Sequence, residues 1–97
     1  MSRQRIERRL LDVHARLKRA REELAVLSEQ LVAFNDTADE TRVRALVSAS
    51  PEAGKDHRAA QRHADAMARS RLAALASIAE LEKVQGELLD KLVPESR

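Results

Sequence analysis

The apolar positions Ile6, Leu10, Val13, Leu17, Ala20, Leu24, Leu27, Leu31 and Phe34 follow one another in alternating steps of four and three residues. That spacing is the apolar stripe of a coiled-coil helix sustained over four heptads. It predicts a helix over about 3–34, roughly 45 Å long at 1.5 Å per residue. A single helix with such a stripe is not stable in water, because helix propensity alone offsets too little of the ordering entropy. The chain supplies a partner. Ala60, Ala64, Met67, Arg71, Ala74, Ile78, Leu81, Gln85, Leu88 and Leu92 repeat the alternation, with Arg71 and Gln85 as polar interruptions. They predict a second helix over about 52–93, halted by Pro94, which has no amide hydrogen to continue it.

Laid antiparallel with residue numbers summing to 98, the stripes set Leu10 against Leu88, Leu17 against Leu81 and Ala20 against Ile78. Phe34, the one aromatic residue, then faces Ala64, a large side chain against a small one. The pattern between the stripes is less regular. Continuing the steps past Phe34 brings Ala38, Thr41, Ala45 and Ser48 into the seam and turns Val43, Leu46 and Val47 away from it. Asn35, Asp36 and Thr37 are residues that favour helix starts, and Thr37 and Glu40 have the spacing of a capping box. The pattern therefore predicts a break near 35–37 and a short helix over about 38–49 at the tip. Ser50 is then suited to cap the last helix, with Pro51 in its first position. A straight hairpin turning at 48–51 is the alternative.

Composition narrows the class to all-α. The 97 residues are 35% charged and hold two glycines, two prolines and no cysteine. Residues that favour strands are scarce. The absence of cysteine excludes disulfides and thiolate metal sites. No run approaches the length of a membrane span, and "MSRQRIERRLLDV" lacks the apolar core of a secretory signal. The expectation is a cytoplasmic protein in one hairpin domain, 1–97, with 94–97 as a disordered tail.

Charge is distributed in blocks. Residues 1–21 carry +6, 22–40 carry −6, 41–71 carry +4 and 72–97 carry −2, together the net +2. Antiparallel pairing sets the acidic block beside Arg58, Arg62, Arg69 and Arg71, which favours that register over a parallel one. Leu11, Val26, Val32, Leu72, Leu75, Val84 and Leu89 flank the stripes and widen the apolar face beyond one seam. A two-helix hairpin with one seam is marginal by itself. Dimerisation into a helical bundle is the expected remedy.

Candidate chemistry is sparse. His14, His57 and His63 stand in no ligand spacing, and no cofactor site is expected. Neither a phosphate-binding glycine loop nor a nucleophile with a plausible base is present. The sequence thus points to a non-enzymatic protein. The basic start, "RQRIERR" and "RLKRAR", has the charge of a nucleic-acid contact but no aromatic platform, and apolar seam positions lie within it. Nucleic acid is accordingly not an expected partner, and neither is a membrane.

The stretch "FNDTADETR", residues 34–42, resembles the coiled-coil tip of DksA-type transcription factors. Asp36 and Asp39 match that family's two aspartates three apart, while Thr41 stands where the family has alanine. The zinc-ligand cysteines and the second globular domain of the family have no counterpart here. In that family, and by analogy in Gre-type cleavage factors, the hairpin enters the secondary channel of RNA polymerase and its acidic tip acts near the catalytic magnesium. The resemblance implies a transcription regulator binding RNA polymerase through Asp36 and Asp39. The residues alone point to a coiled-coil protein–protein interaction module, a homodimer docking on a larger protein. Its expected partner-binding residues are Asp36, Asp39, Glu40, Arg42, Val43, Leu46 and Val47.

Overall fold

The computed structural model describes residues 2–93, which leaves the tail expected at 94–97 outside the described residues. Two helices make up the fold, α1 (Arg3–Ser48) and α2 (Pro51–Leu92), joined only by Ala49 and Ser50. The antiparallel helical hairpin expected from the two stripes is therefore present. The break at 35–37 and the separate helix over 38–49 are not. α1 is one continuous helix of 46 residues, and the chain reverses within the alternative window at 48–51.

The reason lies in the seam. Ala38 and Thr41 are buried, at 5% and 8% exposure, so the four–three alternation continues past Phe34 with small side chains in place of large ones. The threonine hydroxyls bond back along the same helix instead of capping a new one. Thr37 Oγ1 donates to the Ala33 carbonyl at 3.1 Å and Thr41 Oγ1 to the Thr37 carbonyl at 2.8 Å. Such back-bonding lets Ser and Thr sit inside a helix. A break at 35–37 would have opened the seam to form a cap worth only about 1 kcal/mol.

The real turn is built by Ala49 and Ser50. The Ala49 amide closes the last turn of α1 on the Ala45 carbonyl at 3.0 Å. Ala49 itself has a φ of 52°, the left-handed region where glycine usually ends a helix. Ser50 then caps α2 as expected, accepting the Ala53 amide hydrogen on Oγ at 3.2 Å, with Pro51 at the first helical position and Glu52 in the first turn. A left-handed alanine is strained by its Cβ. Ala49→Gly is expected to raise stability by up to about 1 kcal/mol, measured as a higher urea midpoint, because relief of that strain outweighs glycine's greater unfolded freedom. An unchanged or lower midpoint would show that the turn is not strained at this residue.

The chain forms two compact units. The first comprises Met1–Leu24 with Ala74–Arg97, the second Ala25–Ala73. In the first, Ile6, Val13, Leu17, Ile78 and Leu88 form a buried cluster, with Leu10, Ala20, Leu24, Leu81, Val84 and Leu92 packed against it. Leu10 and Leu88, Leu17 and Leu81, and Ala20 and Ile78 all fall within this cluster, consistent with the antiparallel register. An ion pair, Arg21 Nη2 to Glu82 Oε2 at 3.1 Å, crosses between the helices beside it. Both side chains are about half exposed, so the pair adds little stability.

In the second unit the buried seam residues are small. Ala38, Ala60 and Ala64 form its buried cluster, and Phe34 packs against them. The Phe34 ring also meets His63 edge to face, with centroids 6.0 Å apart. Nearer the turn, Thr41 Oγ1 lies 3.4 Å from His57 Nδ1. The Thr41 hydroxyl already gives its proton to helix carbonyls, at 2.8 Å to Thr37 and 3.0 Å to Ala38, which leaves the imidazole N–H as donor in this contact. The charge blocks do not lock together as ion pairs. Among the described residues, none of Arg58, Arg62 and Arg69 forms an ion pair with the acidic block, and Arg71 Nε donates instead to Ser28 Oγ at 3.0 Å.

Candidate interaction surface

Continuity of α1 decides what the expected site residues can do. Once Ala38, Thr41 and Ala45 take the seam, a 3.6-residue period turns residues between them outward. Asp36, Asp39, Glu40, Arg42, Val43, Leu46 and Val47 are all exposed on the last turns of α1. Val43, Leu46 and Val47 stand 50%, 72% and 82% exposed, in a stretch where the seam holds only small side chains. Large apolar groups outside and small ones inside is the reverse of what an isolated helix pair would select.

Four of the expected residues meet in one place. Asp39, Glu40, Val43 and Val47 line a shallow open groove along α1, together with Arg44 and Ser48. Asp36, Arg42 and Leu46 share the same helix but do not line it. The groove joins an apolar floor to a carboxylate rim with one guanidinium. Apolar and charged groups side by side are the usual lining of a binding surface.

Sequence reasoning missed Arg44, although it lies four residues after Glu40 and three before Val47, the spacing of one helix face. His57, a candidate for metal or catalytic chemistry by residue type alone, is instead a seam residue. His57 precedes Ala60 by three and Ala64 by seven, which continues the α2 stripe, and its half-buried ring contacts Thr41 accordingly. His63 was likewise read without Phe34, its ring partner. A second open hollow, lined by Phe34, His63, Ala66, Met67 and Ser70, borders that ring contact.

Asp36 and Asp39 do not crown the reversal. The turn at Ala49 lies ten residues beyond Asp39, so the two carboxylates stand on the flank of α1. Among the described residues, no group of three His, Cys, Asp or Glu is placed to hold a metal ion, and no helix is long and apolar enough to cross a membrane.

Fold and surface together define a two-helix hairpin with exposed apolar faces. Comparison with protein families, with characterised proteins and with solved structures finds no match to this chain.

Proposed function

We propose that this chain is a non-enzymatic helical-hairpin interaction module that self-associates and docks on a larger protein partner through the end of α1. The supporting observation is the exposure of Val43, Leu46 and Val47 beside Asp39 and Glu40. Exposed apolar residues rimmed by charge are the composition of a contact patch, and here the fold has no use for them in its own core. The carboxylates would select a partner segment carrying cations, and the valines would hold it by burial.

The test uses the full chain, tagged and recovered from its native cell. Val43→Gln together with Val47→Gln is expected to leave helicity intact, since both positions are exposed, and to abolish retention of the partner. Equal retention by the substituted chain would remove α1's end from the function. Asp36→Asn together with Asp39→Asn probes the carboxylates separately. Neither residue caps a helix, so stability should change by no more than about 0.5 kcal/mol. Partner binding is expected to weaken and to lose part of its salt dependence.

RNA polymerase as the partner rests on the resemblance of Asp36 and Asp39 alone. Retention of core polymerase by the unsubstituted chain and its loss in the double Asn variant would raise that reading to first place.

A further inference from the structure

We infer that the first unit pairs with a second copy of itself through one defined side of the hairpin, the side that carries the Arg21–Glu82 ion pair. This deepens the self-association proposed above by naming the face. Arg21 and Glu82 each follow a seam residue, Ala20 and Leu81, by one position. Their 3.1 Å contact shows that such positions on α1 and α2 lie on the same side of this unit.

Leu11, Leu75, Leu89 and Val93 also follow seam positions by one. They are the large apolar side chains left exposed among the described residues of this unit, at 71%, 37%, 47% and 53%. The positions that precede a seam residue lie on the other side and are largely polar, among them Asp12, Arg16, Arg19, Glu23, Glu80 and Glu87. This unit is thus amphipathic as a pair of helices. That is the form of half a four-helix bundle, in which one side of each hairpin is covered by the other.

Two further observations favour a second copy as the occupant. On this side α1 contributes Glu7, His14, Lys18 and Arg21, with Glu7 paired to Arg3 of its own helix at 3.0 Å, whereas α2 contributes Glu82 between apolar neighbours. Laying α1 of one copy over α2 of the other sets the cations against Glu82 and, by two-fold symmetry, does so twice. The face is complementary to itself.

Gly86 is the other observation. It lies inside α2, exposed, in the same row as Ala79 and Val93, and a Cβ there would meet nothing within 4 Å in its own chain. A glycine inside a helix is costly, and packing within this chain gives no reason for it. With a second helix against this row, Gly86 and Ala79 form the hollow between Leu75 and Leu89 into which Leu11 of the second copy fits.

Sedimentation equilibrium on the full chain tests the proposal. The unsubstituted chain is expected to be a dimer, and its thermal midpoint to rise with concentration. Gly86→Gln gives opposite signs under the two cases. On an open surface glutamine is the better helix former and raises the midpoint. Against a second copy its side chain fills the hollow and raises the dimer dissociation constant by about tenfold or more. Leu89→Gln should dissociate the dimer as well, and if it also unfolds the chain, Gly86→Gln decides, because it favours the helix.

The chain has no cysteine of its own, so single thiols report proximity without background. Ala79→Cys should give an interchain product with a short bis-maleimide, and Ser77→Cys, on the polar side, should not. A dimer that tolerates Gly86→Gln and Leu89→Gln, or that links through Ser77→Cys alone, overturns this face and leaves self-association standing. A monomer at all concentrations overturns both.

Discussion

Leu17→Ala is expected to lower folding stability by about 2–5 kcal/mol, the range for buried leucines that leave a cavity. Leu17 is fully buried, at 0% exposure, and Leu88, at 2%, is the other large side chain enclosed to that degree. Both belong to the cluster that joins α1 to α2 in the first unit. Small domains have only about 5–15 kcal/mol of total stability, so the loss is a large fraction of the whole. Leu88→Ala should match it. Leu11→Ala, at 71% exposure, should cost far less within one chain. Urea titration by circular dichroism at one fixed protein concentration separates these cases, and equal small losses at Leu17, Leu88 and Leu11 would mean that the seam is misassigned.

What could be read from the sequence follows from which physical signals are local. The stripes at Ile6–Phe34 and Ala60–Leu92 are repeated many times, so their spacing identified helices, the antiparallel register and the core leucines without any tertiary information. The seam between residues 35 and 48 was not legible in the same way. Ala38 and Thr41 carry little hydrophobicity, and the loss of leucine there looked like the end of a stripe. The neighbouring Asn35, Asp36 and Thr37 reinforced that reading with residues that favour caps. The packed pair shows Ala38 buried with Ala60 and Ala64, small side chains from both helices, so the seam continues unbroken there. Here tertiary packing outweighs a local preference worth about 1 kcal/mol.

The same oversight explains the candidate site. The continued seam phase turns Val43, Leu46 and Val47 outward, Asp36 and Asp39 stand out through the resemblance of their stretch, and all five are exposed together with Glu40 and Arg42. The geometry expected for the aspartates depended on a break that did not form, so they lie along a helix flank. Their chemistry was readable from composition. Their position was not, because it depends on where the chain reverses, and the reversal is set by Ala49, Ser50 and Pro51.

A seam of small side chains makes an unusual demand, and Ala64→Leu tests it. A reading of the sequence as a coiled coil lacking leucines would expect that substitution to stabilise, by restoring a large apolar residue at a seam position. The structure predicts the opposite sign. Ala64 is buried at 2% exposure in a cluster with Ala38 and Ala60, and Phe34 already packs against that cluster. Added methylenes would have to displace these enclosing neighbours, and overpacking of this kind costs about 1–3 kcal/mol. Ala33→Leu, on the exposed face of α1, is the control and should change stability by no more than about 0.5 kcal/mol. The mechanism predicts coupling as well. Phe34→Leu alone should destabilise by leaving a cavity, yet combined with Ala64→Leu it frees space for the added side chain. The double substitution is therefore expected to be more stable than the sum of the single losses, since residues sharing one volume do not add independently. Strict additivity in urea midpoints, or a gain from Ala64→Leu alone, would mean that the helices are not closely packed at Phe34 and that the small residues there have some other cause.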